Sequence, residues 1–178
     1  MEIIRSYALL DELFDSSVSL LGVDFHGYRN HAYRVFNFAR ELAGSSSETD
    51  TKFAVAAYFH DLGIWADHTF DYLTPSVTRA RDYLAAQRKA DWMEEVSYMI
   101  TEHHKITSAG GFGALVEAFR RADWIDVTLG LLSYGLPRYF VREVRREFPN
   151  EGFHRRLLSL TVERIREHPT RPLPMFKW

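Results

Sequence analysis

The stretch F-A-V-A-A-Y-F-H-D-L-G, from Phe53 to Gly63, decides how the rest of the chain is read. An unbroken apolar run leads into His60 and Asp61, with a glycine two residues on. Thr51 stands where a helix cap belongs, and Gly63 where a helix stops. A His and an Asp side by side at the end of a buried helix are costly unless something pairs with them. A divalent cation satisfies both at once.

The neighbouring segments carry the same helical period. Residues 3–21 have apolar side chains at helical spacing. Asn30 to Leu42 places Val35, Phe38, Ala39 and Leu42 on one side, with Gly44 as the stop. Thr74-Pro75 is a helix start, and that helix carries Val77, Ala80, Tyr83 and Leu84. Asp91 with Glu94 opens another, which carries Val96, Met99, Ile100 and His103. After the break Gly110-Gly111-Phe112-Gly113, a helix is expected from Ala114 to about Leu132. Pro137 opens one through Phe140, Val141, Val144 and Phe148, and a last covers Phe153 to about Arg166. The tail R-P-L-P-M-F-K-W, residues 171–178, cannot be helical throughout because of its prolines. It is expected to pack on its own domain or on a second subunit. No segment alternates as a strand does. The expectation is an all-α, compact multi-helix bundle, a single domain over residues 1–178. Its metal-binding core spans about 27–125, followed by C-terminal helices and tail over 137–178.

His31 and Asp123 fall on inward faces of these helices. Val35 and Phe38 follow His31 at plus four and plus seven, and Phe119 and Val116 precede Asp123 at the same spacings. A lone carboxylate facing a core needs a partner, or it protonates. His31, His60, Asp61 and Asp123 are therefore the candidate metal ligands. His103 faces inward too, with Val96, Met99 and Ile100 before it. Asp126, one turn beyond Asp123, is placed to orient a ligand histidine.

Composition narrows the chemistry. With 178 residues, 46% of them hydrophobic and 15% aromatic, the chain can build a sizeable core. A net charge of -2 gives no global field that favours nucleic acid or an anionic membrane. There are no cysteines, which excludes disulfides, thiolate zinc sites, iron–sulfur clusters and cysteine nucleophiles. A metal must then be held by imidazole and carboxylate, which suits Mn, Fe, Co, Ni, Zn or Mg. The first residues are interrupted by Glu2, Arg5, Asp11 and Glu12, as neither a signal peptide nor a membrane span would be. A cytoplasmic protein is expected, with no membrane or nucleic-acid partner and an oligomer left open.

The ordered set H…HD…D, with Arg34-Val35 after the first His, H-D-L-G-I-W at His60, D-Y-L-T-P-S at Asp71, M-I-T-E-H-H at Met99 and A-D-W-I-D at Ala122, resembles the HD-domain metal-dependent phosphohydrolase superfamily. The resemblance covers about residues 27–125 and is nearest to small, single-domain HD proteins. It implies that His31, His60, Asp61 and Asp123 bind one divalent metal, which acidifies a water and polarises a phosphoryl oxygen. The implied substrate is a small phosphorylated molecule, a nucleotide among the options. In such proteins extra histidines after the HD pair hold a second metal bridged by the aspartate, or contact phosphate. His103 and His104 are the positions for either role; otherwise one packs and the other is solvated.

The sequence departs from the family at Ile64, where some subfamilies have a catalytic Glu or Lys. Asp67 and Asp71 are then the nearest candidates for a general base, with loop carboxylates as the plain alternative. Arg34 is a candidate for holding a substrate phosphate or Asp61. His68 is a further possible ligand, and Trp65 a possible stacking surface. The superfamily also contains hydratases acting on cyanamide-like and nitrile substrates, and di-iron oxygenases. The apolar Ile64 keeps open a catalytically silent, metal-stabilised module that binds a ligand.

Overall fold

The computed structural model describes residues 1–170 and 175. Among the described residues there are no strands, and the regular structure is helical. The helices are α1 (Ala8–Asp15), α2 (Val18–Leu21), α3 (Phe25–Ala43), α4 (Ser47–Phe59), α5 (Gly63–Ala66), α6 (Leu73–Ala86), α7 (Met93–Glu102), α8 (Ala114–Val127), α9 (Arg138–Glu147) and α10 (Phe153–Glu167). Short 3-10 turns at Gly22–Asp24, Ala90–Trp92 and Gly110–Phe112 join some of them. No helix among these residues is long and apolar enough to cross a membrane.

Helices α3 and α4 form the centre. Every residue of α4 from Phe53 to Phe59 is buried, and α3 is buried without a gap from His31 to Ala39. A helix that is apolar all round must be covered all round. Accordingly α3 packs on α4, α8, α9 and α10, while α1, α6 and α7 pack on α4. One hydrophobic core runs through all of them, from Leu10 to Phe153 and Met175.

Local chemistry sets the helix ends. The Ser46 hydroxyl accepts from the Thr49 amide at 3.1 Å and caps α4, with Glu48 and Asp50 in the first turn favouring the helix dipole. Ser46, rather than Thr51, is therefore the cap. α3 stops at Gly44, whose φ is 83°. Its start lies at Phe25, five residues before the expected one, because the Gly22–Asp24 turn leads straight into it.

The expected helix over 3–21 exists only as α1 and α2. The Ile4 amide donates to Asn37 Oδ1 at 2.8 Å, and Asn37 Nδ2 donates back to the Ile4 carbonyl at 3.1 Å. Tyr7 is extended and its amide donates to the Tyr33 hydroxyl. Residues 3–7 thus bond to α3 instead of to themselves. Helix α8 ends at Val127, short of Leu132, where Leu129 (φ 58°) and Gly130 (φ 81°) turn the chain away. The expectation for the tail falls on residues 171–174 and 176–178, outside the described residues; Met175 is buried.

One close approach positions the site. A Cβ on Gly63 would lie 2.8 Å from the Tyr72 carbonyl oxygen and 3.1 Å from Ser76 Oγ. The Gly63 amide donates to that Ser76 hydroxyl at 3.0 Å. Only glycine lets the turn after His60-Asp61 lie flat on the start of α6.

Candidate metal centre

Side chains from α3, the end of α4, the end of α7 and α8 converge at one buried point. His31 comes from the second turn of α3 and Asp123 from α8. His60 and His103 hold equivalent places, each directly after its helix, and each is followed by a second polar residue, Asp61 or His104. His31, His60 and His103 have no exposed surface, and Asp61 and Asp123 have almost none.

Three imidazoles are held in the same sense. His31 Nδ1 donates to Asp126 Oδ2 at 2.7 Å. His60 Nδ1 donates to the Ala57 carbonyl at 2.9 Å, and His103 Nδ1 to the Ile100 carbonyl at 2.7 Å. These acceptors place a proton on each Nδ1 and turn each Nε2 inward. The stacked ring of Phe153, 4.1 Å from that of His31, fixes the plane of the latter. Asp126 is itself anchored by Arg34, whose Nε donates to Oδ1 at 2.5 Å and whose Nη2 donates to Oδ2 at 2.8 Å.

The inward atoms lie close together. His31 Nε2 is 2.9 Å from His60 Nε2. Asp61 Oδ2 lies 3.7 Å from His31 Nε2 and 3.5 Å from His60 Nε2, while Asp61 Oδ1 lies 3.5 Å from His103 Nε2. Asp123 Oδ1 is 3.5 Å from His31 Nε2, and Oδ2 is 3.5 Å from His104 Nδ1. His104 Nε2 meets the Tyr72 hydroxyl at 2.8 Å. Among the described residues, Asp61 Oδ1, both oxygens of Asp123 and His103 Nε2 are buried with no hydrogen-bond partner.

The electrostatics show the same strain. Burial pushes the His60 imidazole down to about 3, so the ring stays neutral. Burial works against the Asp61 carboxylate too, but His60, His103 and His31 hold it below the usual carboxylate range. Burial pushes Asp123 up to about 7, against the pull of His103 and His31. His103 and His104 move in opposite directions. Burial carries His104 well below the ordinary histidine value, whereas Asp61 and Asp123 outweigh burial at His103 and raise it.

These residues fit a divalent cation. The ring nitrogens His31 Nε2 and His60 Nε2 face each other at 2.9 Å, and an orphaned buried carboxylate costs several kcal/mol. A cation between them would take up both nitrogens and offset that cost. Donor atoms that share one metal at ordinary bond lengths lie about 3–4 Å apart, as these do. Two donor groups are geometrically able to hold one, His31–His60–Asp61 and Asp61–His103–His104, with Asp61 common to both.

Comparison with known families agrees with this geometry. The model of a family described as the HD domain matches residues 28–128. The chain belongs to the HD domain family. Its fold and its buried His/Asp cluster are those of a superfamily of metal-dependent hydrolases. Neither the comparison with curated proteins nor that with solved structures found a match.

Not every residue singled out in the sequence reaches the centre of this HD domain. Arg34 is buried, and its donors go to Asp126 and to the carbonyls of Phe148 and Pro149 rather than toward Asp61 or a ligand. Asp67 forms a two-pronged surface pair with Arg79, and Asp71 pairs with Arg164 at 2.8 Å. His68 lines an outer depression. Trp65 packs in the core 4.5 Å from Tyr28 and donates its Nε1 hydrogen to Asp24.

Two tyrosines at the site escaped the sequence reading. The Tyr72 hydroxyl meets His104, and the Tyr28 hydroxyl accepts from the Asp61 amide at 3.3 Å. Tyr72 sits inside the D-Y-L-T-P-S motif, the one signal that pointed toward it.

Proposed function

We propose that this HD domain is a hydrolase that cleaves a phosphate ester of a small molecule with one divalent cation. His31, His60, Asp61 and Asp123 are the residues that hold it. The supporting observation is the common orientation of the imidazoles, with Nδ1 tied back and Nε2 atoms meeting orphaned carboxylate oxygens. When bound, the cation supplies an acidified water and a Lewis acid for a phosphoryl oxygen. Two imidazoles with two carboxylates suit Mn, Fe, Co, Ni, Zn or Mg.

The chain's own residues do the positioning. Asp126, clamped by Arg34, keeps the proton of His31 on Nδ1. His104 lines the cavity beside Asp61 and is placed to touch a substrate oxygen, with Tyr72 holding the other side of its ring. His103 faces the outer oxygen of Asp61. Arg34, Asp67 and Asp71 are each engaged by a protein partner and are given no role in this reading.

Elemental analysis of the purified protein beside its His60→Ala/Asp61→Ala variant, with both assayed on phosphoesters under several divalent metals, tests this reading. About one metal per chain, lost in the variant together with turnover, is expected. A metal-free protein would defeat it. Metal without turnover would turn attention to a hydratase or a silent binding module.

The shared position of Asp61 favours a second reading, in which two cations bind and the enzyme is an iron-dependent oxygenase. Two irons per chain in the same analysis would select it.

A further inference from the structure

Beside the His/Asp cluster lies a cavity of about 160 Å³, floored by Asp61 and His104. Its walls are made by Ile64, Tyr72, Trp124 and Leu157, with Phe70 toward the outside. Among the described residues that line it, none is a lysine or an arginine. Apart from the floor, its polar atoms come from side chains such as the hydroxyls of Tyr72 and Thr161. A site built for several phosphates presents guanidinium or ammonium groups to them; these walls present aromatic rings and aliphatic chains.

Among the described residues, the arginines next to this cavity lie further out. A second, more open depression of about 440 Å³ shares Ile64 and Phe70 with the cavity and carries Arg156 and Arg164. Both charges are already matched, Arg156 by Asp24 at 3.1 Å and Arg164 by Asp71 at 2.8 Å. Among the described residues, a polyphosphate chain leaving the cluster would therefore cross an apolar throat before it met Arg156 or Arg164, both of them paired.

From this we infer that the group attached to the reacting phosphate is uncharged, compact and apolar, an aryl or short branched alkyl group seated between Tyr72, Trp124 and Leu157. The inference rests on the hydrolase reading above. It makes Leu157 and Thr161, on the inner side of α10, residues that determine specificity. The volume suits about one ring with a small substituent, well below the size of a nucleoside.

Binding tests this without relying on turnover. The metal-loaded protein is titrated with phenylphosphonate, methylphosphonate and adenosine monophosphate, and the corresponding esters, phenyl phosphate, methyl phosphate and adenosine monophosphate, are offered for hydrolysis. Phenylphosphonate is expected to bind at least about tenfold more tightly than methylphosphonate, because only its ring has apolar area to bury. Thr161→Phe fills the cavity from α10 and touches no proposed ligand. It is expected to abolish that preference while metal content, read by elemental analysis, stays as it was. Leu157→Ala, which enlarges the cavity, should keep a preference for the ring.

Equal affinity for the two phosphonates overturns the inference. So does tighter binding of adenosine monophosphate than of phenylphosphonate. If the phenyl preference is present and abolished by Thr161→Phe, yet no ester is hydrolysed, the hydrolase reading fails and the apolar selectivity of the cavity stands.

Discussion

Asp126 and His31 are joined by a 2.7 Å hydrogen bond between helices α8 and α3, and that bond decides which nitrogen of His31 faces the cluster. The same carboxylate carries the buried charge of Arg34. One residue thus orients a proposed metal ligand and neutralises a core cation, and the two duties separate experimentally.

Asp126→Asn should weaken metal binding about 10- to 100-fold, the usual effect of losing the group that orients a ligand histidine. It should also cost about 3–5 kcal/mol of stability, because Arg34 is left buried without its counter-charge. Chelator competition reads the first effect and urea unfolding the second. Unchanged affinity would remove Asp126 from the site.

Asp123→Asn should act in opposite directions on the two forms of the protein. Without metal, removing an orphaned buried carboxylate should raise stability by about 1–3 kcal/mol. With metal, the wild type should gain melting temperature and the variant should not. Thermal melts with and without added Mn or Co give both answers.

Gly63→Ala drives a methyl group into the Tyr72 carbonyl. A stability loss of about 1–3 kcal/mol is expected from the overpacking. Turnover should fall further than metal content, since the cluster keeps its ligands while Tyr72 shifts against His104. Metal content per chain, kcat and urea unfolding, taken together, check this.

Glu117 links the Lys105–Gly113 connection to α8. It accepts from the Ala109 amide at 2.7 Å and from Arg120 and Arg121. Burial opposes its charge, but these partners outweigh it and bring the carboxyl from 4.5 down to about 2. A folded-state value below the unfolded one gives stability that is fully present above 4.5 and is lost as pH falls toward 2. Glu117→Gln should therefore be less stable than wild type at neutral pH, and the gap should close on acidification. Urea unfolding at pH 7 and pH 3 measures it.

The helices and the cluster were legible because both are written in local pattern. An apolar run ending in His60-Asp61, and Asp123 in phase with Phe119, put these polar side chains on inward helix faces. What escaped depends on contacts distant in sequence. Arg34 looked available for a phosphate because its partner, Asp126, lies 92 residues away. Asp67 looked like a base because Arg79 faces it only once α6 has folded back. Ser46 and Thr51 are both competent caps, and nothing local ranks them. The end of α8 was hidden by Leu129, a residue type that rarely takes positive φ.

The histidines differ in what holds their aim. His60 and His103 lean on carbonyls three residues back in their own helices, so they keep their direction as long as one helical turn survives. His31 relies on a carboxylate from another helix, and it has no exposed surface of its own. Separation of α8 from α3 would free His31 while His60 and His103 kept their aim, so metal affinity would report the breathing of the core through that one ring.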